Sequence, residues 1–134
     1  MTGQRAKAGR YIRGMKGLHL TADLYRCRCE ATWLRDAQQL QDWCGAAAEA
    51  VGLRVTRQAV HTNSTGGVAA SMLMDDGHVC VHTWPAEQAA TLDVYVAHAT
   101  GDPSARARGL MFALVQRFQP EWTEQRSLDR GEEE

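Results

Sequence analysis

No stretch of this chain approaches the roughly 18 apolar residues that a membrane span requires, and no signal-peptide pattern opens it. The four cysteines, Cys27, Cys29, Cys44 and Cys80, have neither CxxC nor zinc-ribbon spacing, so they are expected to be reduced thiols in a cytoplasmic protein. Internal repeats are absent, and so is any low-complexity tract away from the ends. The net charge of −1 gives no reason to expect nucleic acid or a membrane surface as a partner. Acid is missing altogether from residues 1–16, which carry Arg5, Lys7, Arg10, Arg13 and Lys16. At the other end, from Glu121 onward, six acids stand against Arg126 and Arg130. Residues 1–16 therefore read as a solvated basic segment and 119–134 as a solvated acidic tail. The sharper alternative is that the two ends meet across an oligomer.

What is present suits one globular domain: 134 residues, 44% hydrophobic and 23% charged, enough for a single modest core. Leu18, Leu20, Ala22 and Leu24 alternate with His19, Thr21, Asp23 and Tyr25, a strand period. After an Arg26–Glu30 loop, Asp36 to Val51 reads as a helix with Leu40, Trp43, Cys44, Ala47 and Val51 on one face and Gly52 as its stop. Leu53–His61 is a second strand, followed by a loop at Asn63-Ser64-Thr65-Gly66-Gly67. Val68–Met74 and His78–Trp84 flank Asp75-Asp76-Gly77, which predicts a hairpin with a type I′ turn. Pro85 ends that pair, Thr91–Val96 is a fifth strand, and Asp102-Pro103-Ser104 opens a helix to about Phe118 that buries Leu110, Leu114, Val115 and Phe118. The order β-α-β-β-β-β-α predicts a two-layer α/β (α+β) sandwich, its sheet mainly antiparallel with helices on one face. The domain is expected to span 17–118.

Gly77-His78-Val79-Cys80-Val81-His82-Thr83-Trp84-Pro85 resembles the core of the prokaryotic S-adenosylmethionine decarboxylases, whose consensus there is close to E-S-H-L-S-I-H-T-W-P-E. The likeness continues upstream in Leu18–Cys27 and His61–Val68 and downstream in Ala90–Tyr95. The resemblance implies a pyruvoyl-dependent enzyme of spermidine biosynthesis that makes its own cofactor. A serine hydroxyl attacks the preceding carbonyl, and elimination from the ester leaves a pyruvoyl group, which takes the substrate amine as a Schiff base. It also implies a dimer with two sheets face to face, α/β/β/α, and pockets at the interface.

The serine position is Gly77, which has no oxygen to attack with and no β-carbon from which to eliminate. The processing serine eight residues earlier falls on Ala69, and the catalytic cysteine falls on Ala97. In the implied pocket the adenine-packing aromatic falls on Asn63 and a glutamate on Ala86, beside Trp84. Of the processing and catalytic set only His82 remains. No cofactor is therefore expected, pyruvoyl least of all.

His78, Cys80 and His82 alternate along one strand and so share a face. With His61 they are the catalytic candidates for any other chemistry. A metal held with His61 or His98 is conceivable on ligand type, but the family has both strand histidines without using them for metal, and no metal is assigned. Cys80 as a nucleophile competes with Cys80 as a small core residue.

Two functions follow as expectations. The first is a regulatory or ligand-binding pseudoenzyme linked to S-adenosylmethionine or polyamine metabolism. It would be a homodimer, or a heteromer with an active paralogue, and would take a small-molecule ligand. The alternative is an enzyme of a different reaction class that repurposes the pocket without a pyruvoyl group. Fold does not choose between them.

Overall fold

The structure, a computed structural model, describes residues 15–97 and 102–131. Strand β1, Gly17–Cys27, alternates as its sequence demands, with Leu18, Leu20, Ala22 and Leu24 buried. A single helical turn, α1 (Thr32–Arg35), and helix α2 (Ala37–Ala50) follow. Asp36 starts α2 by accepting the Gln39 N–H at 3.0 Å, a side-chain cap on an otherwise unpaired donor. Leu40, Cys44 and Ala48, four apart, form the buried stripe. Gly52, with φ at 87°, turns the chain out of the helix.

Strands β2 (Val55–Thr62), β3 (Val68–Met74) and β4 (Gly77–Trp84) come next. A turn of 3-10 helix, Pro85–Glu87, leads to β5 (Ala89–Ala97). Helix α3 (Ser104–Phe118) buries Ala107, Leu110, Met111, Leu114 and Phe118, and β6 (Pro120–Arg130) completes the described chain. The sheet is antiparallel in the order β2-β3-β4-β5-β1-β6. Residues of β1, β3, β4 and β5 that point toward the helices are buried; their neighbours in sequence are half-buried or exposed. The fold is thus the two-layer α+β sandwich expected, with its core between one sheet face and the helices.

Three details differ from the sequence reading. The acidic segment 119–134 is not a tail throughout, because Pro120–Arg130 pairs along β1 from Thr123 opposite Leu24 to Arg130 opposite Gly17. None of its residues is buried, so it lacks the apolar alternation that marks a strand in sequence. Its charges suit an edge strand, where they discourage pairing with another chain. Arg126 reaches both Asp23 on β1, at 3.8 Å, and Glu124, at 3.1 Å. Residues 1–14 and 132–134 lie outside the described residues, so the basic segment is almost wholly among them.

Second, the β3–β4 turn is not type I′. Met74 pairs with Gly77 around Asp75-Asp76, and none of these turn residues is among those with left-handed backbone. The glycine lies one place beyond the turn and serves close packing instead. Third, residues 32–35, to which the sequence assigns no element, form the turn α1; at four residues it is too short to carry a helical period.

Candidate functional site

The sheet face turned away from the helices carries the residues that the sequence singled out. On β4, His78 and Cys80 are half-buried on this face and His82 and Trp84 are exposed, while Val79, Val81 and Thr83 point into the core. Thr83 has a structural task within the His-Thr-Trp-Pro run. Its hydroxyl accepts from Val68 N at 2.8 Å and donates to Leu34 O at 2.8 Å, joining β3, β4 and α1 through a buried group.

Registers across the sheet decide which candidates meet. His78 lies between Leu73 and Tyr95, and Tyr95 lies opposite His19. The rings of His78, Tyr95 and His19 gather there, with centroids 5.6 Å apart for His78–Tyr95 and 6.3 Å for His19–His78. His19 Nε2 also sits 3.1 Å from Asp93 Oδ1. His19 was not a candidate from sequence, where it is simply the outward partner of Leu18 and Leu20; only register shows its company. Cys80 pairs with Ser71, its Sγ 3.8 Å from Ser71 Oγ, and with Asp93 on the other side.

His82 lies opposite Ala69, which in turn lies opposite His61. His61 and His82 are thus two strand spacings apart, about 10 Å. No group of three or more His, Cys, Asp or Glu side chains among the described residues could hold a metal ion. His98, the other ligand considered, lies outside the described residues.

The positions assigned by resemblance fall into two separated pairs. Gly77 is opposite Val96, and Ala97 N donates to Asp76 O at 2.6 Å, so Gly77 and Ala97 share one end of the sheet. Ala69 and His82 share the other. Five residues of extended strand place His82 about 16 Å along β4 from Gly77, the same five-residue separation that the serine and histidine have in the consensus quoted above.

Gly77 also has no room for a side chain. A Cβ built there would overlap the Tyr95 carbonyl oxygen and lie 2.9 Å from Tyr95 C and 3.1 Å from Val96 Cα. These are backbone atoms of the neighbouring strand, which cannot rotate aside.

Asn63 is occupied with its own loop. Its Oδ1 accepts from Thr65 N at 3.0 Å, Thr65 Oγ1 at 2.6 Å and Gly67 N at 3.0 Å, the side-chain-closed turn that asparagine favours. Ala86 lies exposed in the 3-10 turn.

The other cysteines are chemically quiet. Burial pushes the thiols of Cys44 and Cys27 up to about 12, Cys27 with a smaller contribution from Cys29. Burial likewise raises Cys29. Such groups stay protonated at neutral pH and are poor nucleophiles.

The architecture defines a class, two-layer α+β proteins with an antiparallel six-stranded sheet open on one face. Within it the chain belongs to the S-adenosylmethionine decarboxylase family, whose model matches residues 18–131. It is similar to the S-adenosylmethionine decarboxylase proenzyme of Syntrophomonas wolfei, at 33% identity over 79 residues, or 59% of this chain and 61% of that protein. The chain therefore spans about three fifths of that relative's length. It is also similar to the arginine decarboxylase proenzyme of Ignicoccus hospitalis, at 33% identity over 107 residues, covering 78% of this chain and 70% of the other. Among solved structures, the adenosylmethionine decarboxylase of Aquifex aeolicus superposes with a TM-score of 0.76 at 26% identity, covering 87% of this chain and 92% of that one.

Proposed function

We propose that this chain is a member of the S-adenosylmethionine decarboxylase family that neither cleaves itself nor carries a pyruvoyl group, and that it acts as a regulatory or ligand-binding subunit. Gly77 carries the reading. Self-processing needs a hydroxyl at that position and elimination needs a β-carbon; glycine supplies neither, and the space for both is filled by the β5 backbone. The residues present do not fit the cofactor that the family builds. Alanine at 69 and 97 adds support independent of the glycine.

The same reading assigns the open sheet face to assembly. Leu73 and Trp84, on β3 and β4, and Trp122 and Leu128, on β6, are all exposed, a set of large apolar residues that a second copy or an active paralogue would cover. Dimerisation by packing two such faces would give the α/β/β/α arrangement.

The test is intact-mass measurement of the purified full chain, together with co-expression beside an active decarboxylase from the same source. One uncut polypeptide of unmodified mass is expected, with co-purification and an altered decarboxylation rate for the partner. Two fragments meeting between Asp76 and Gly77 would overturn the proposal. The rival reading, a different enzyme on the same face, predicts instead that the protein alone turns over a small molecule and that His82→Ala abolishes this.

A further inference from the structure

The sheet ends in β6 on one side and β2 on the other, and the two edges are built differently. Along β6 stand Glu121, Glu124, Arg126, Asp129 and Arg130, the kind of charge that guards an edge against a chance strand partner. β2 carries one full charge, Arg57, in Val-Thr-Arg-Gln-Ala-Val-His-Thr, and is otherwise neutral and rich in β-branched residues that suit a pleat. Its one irregularity is the register shift between Val55 and Arg57, where Thr56 Oγ1 donates to Leu73 O at 3.1 Å. From Arg57 to Thr62 the pairing with β3 is regular.

The turn after β2 fixes which backbone groups are already engaged. Asn63 N donates to Gly67 O at 2.8 Å, and Gly66 N, from a residue with φ at 88°, donates to Asn63 O at 3.0 Å. Asn63 and Gly67 continue the register of Thr62 with Val68. Hydrogen-bonded pairs alternate along an antiparallel ladder, so His61, Ala59 and Arg57 turn their backbone groups toward β3. Gln58, Val60 and Thr62 turn theirs outward, where no described strand meets them. Such a row of N–H and C=O groups is a template for one more strand.

A second copy of the same edge matches the row. With the strands antiparallel and Val60 opposite Val60 of the second copy, Gln58 falls opposite Thr62 and Thr62 opposite Gln58. Every outward residue then sits in a hydrogen-bonded pair. A shift of two residues sets one of them against the irregularity at Thr56 or against the loop at Ser64. In the centred register Arg57 lies opposite Asn63 rather than the other Arg57, so no like charges meet. Val60 is partly buried against the core, and its contact with the second Val60 would carry that core across the seam.

We infer that the β2 edge is an interface for a second copy of this chain, which joins the two sheets into one about a two-fold axis at Val60. The axis stands perpendicular to the sheet, so the helices of both copies stay on one side and the open faces on the other. The contact therefore uses a surface separate from the open face assigned above to assembly, and none of Gly77, Ala69 or Ala97.

The full chain tests this in sedimentation velocity over a range of concentrations. Thr62→Pro removes an outward N–H and no bond to β3, and should roughly halve the assembled mass. A second measurement reads the register by mild oxidation of single-cysteine variants, with the parent chain and its native free cysteines as the blank. Val60→Cys should link to its copy, since hydrogen-bonded partners lie about 5.5 Å apart between Cα atoms, within disulfide reach. Arg57→Cys should not, because its copy lies six residues along the seam, about 20 Å away. Unchanged assembled mass in Thr62→Pro, no linked pair in Val60→Cys, or equal linking in Arg57→Cys would each overturn the inference. Self-processing is read by intact mass and the open face by co-purification, so either proposal can fail while the other stands.

Discussion

The two ends of β4 have been built in opposite ways. At the Gly77 end the neighbouring strand presses so close that no Cβ fits, and the residues that resemblance assigns to chemistry there, Gly77 and Ala97, have no functional groups. At the Trp84 end the row Trp84, Ala89, Tyr25, Trp122 leaves a cleft, rimmed by carboxylates and held by three left-handed residues. Such backbone costs on the order of 1 kcal/mol per residue and persists only where surrounding contacts enforce it. The contrast shows one strand closed by its neighbour's backbone at one end and open at the other, on the same sheet face.

The largest effect is expected at the closed end. Gly77→Ser should destabilise the chain by about 2–3 kcal/mol, because its Cβ meets backbone rather than a movable side chain, and it should restore no carbon dioxide release from labelled S-adenosylmethionine. Urea unfolding checks the first part. A variant as stable as the parent would show that the closed end yields readily, and the comparison would break.

A smaller loss, about 2 kcal/mol, is expected from Thr83→Val, which keeps the shape but leaves Val68 N and Leu34 O without their buried partner. Urea unfolding checks this. A variant as stable as the parent would show that the buried link between β3, β4 and α1 is dispensable.

The smallest effect concerns what lies beneath the cleft. Cys27, next to Arg26, is buried, with its thiol raised to about 12 from an ordinary value of 9.0. The unfolded chain ionises first, so the folded state holds the extra proton. This contribution is full below pH 9 and is lost as pH rises from there toward 12. By pH 10 the loss is about 1 kcal/mol. Cys27→Ala should flatten that alkaline decline in thermal unfolding, whatever its effect at neutral pH. An unchanged slope would mean that water reaches the thiol and that the cleft is not sealed below.

Much of the fold could be read from local patterns. The period-two alternation of Leu18 to Tyr25, the four-residue spacing from Leu40 to Cys44, and the stop at Gly52 each reflect a backbone geometry that a single segment enforces on itself. The shared face of His78, Cys80, His82 and Trp84 is equally local, since alternate strand residues always point together. The edge strand Pro120–Arg130 was not legible, because neither of its faces is buried and its charges resemble those of a solvated tail. The turn at Asp75-Asp76 was misread because Asp-Gly suggests positive φ, whereas this glycine serves an interstrand contact invisible from its neighbours in sequence.

By itself, then, the sequence determined most element types, the burial of one sheet face and the lack of any side-chain hydroxyl at position 77, since glycine has none in any fold. Tertiary structure alone decided which side chains meet. Register set His19 beside His78 and Asp93, and brought Trp122 from near the end of the chain onto Tyr25, 97 positions earlier in the sequence. Such meetings depend on hydrogen-bond ladders between segments distant along the chain, and no property of either segment alone specifies the offset at which they join.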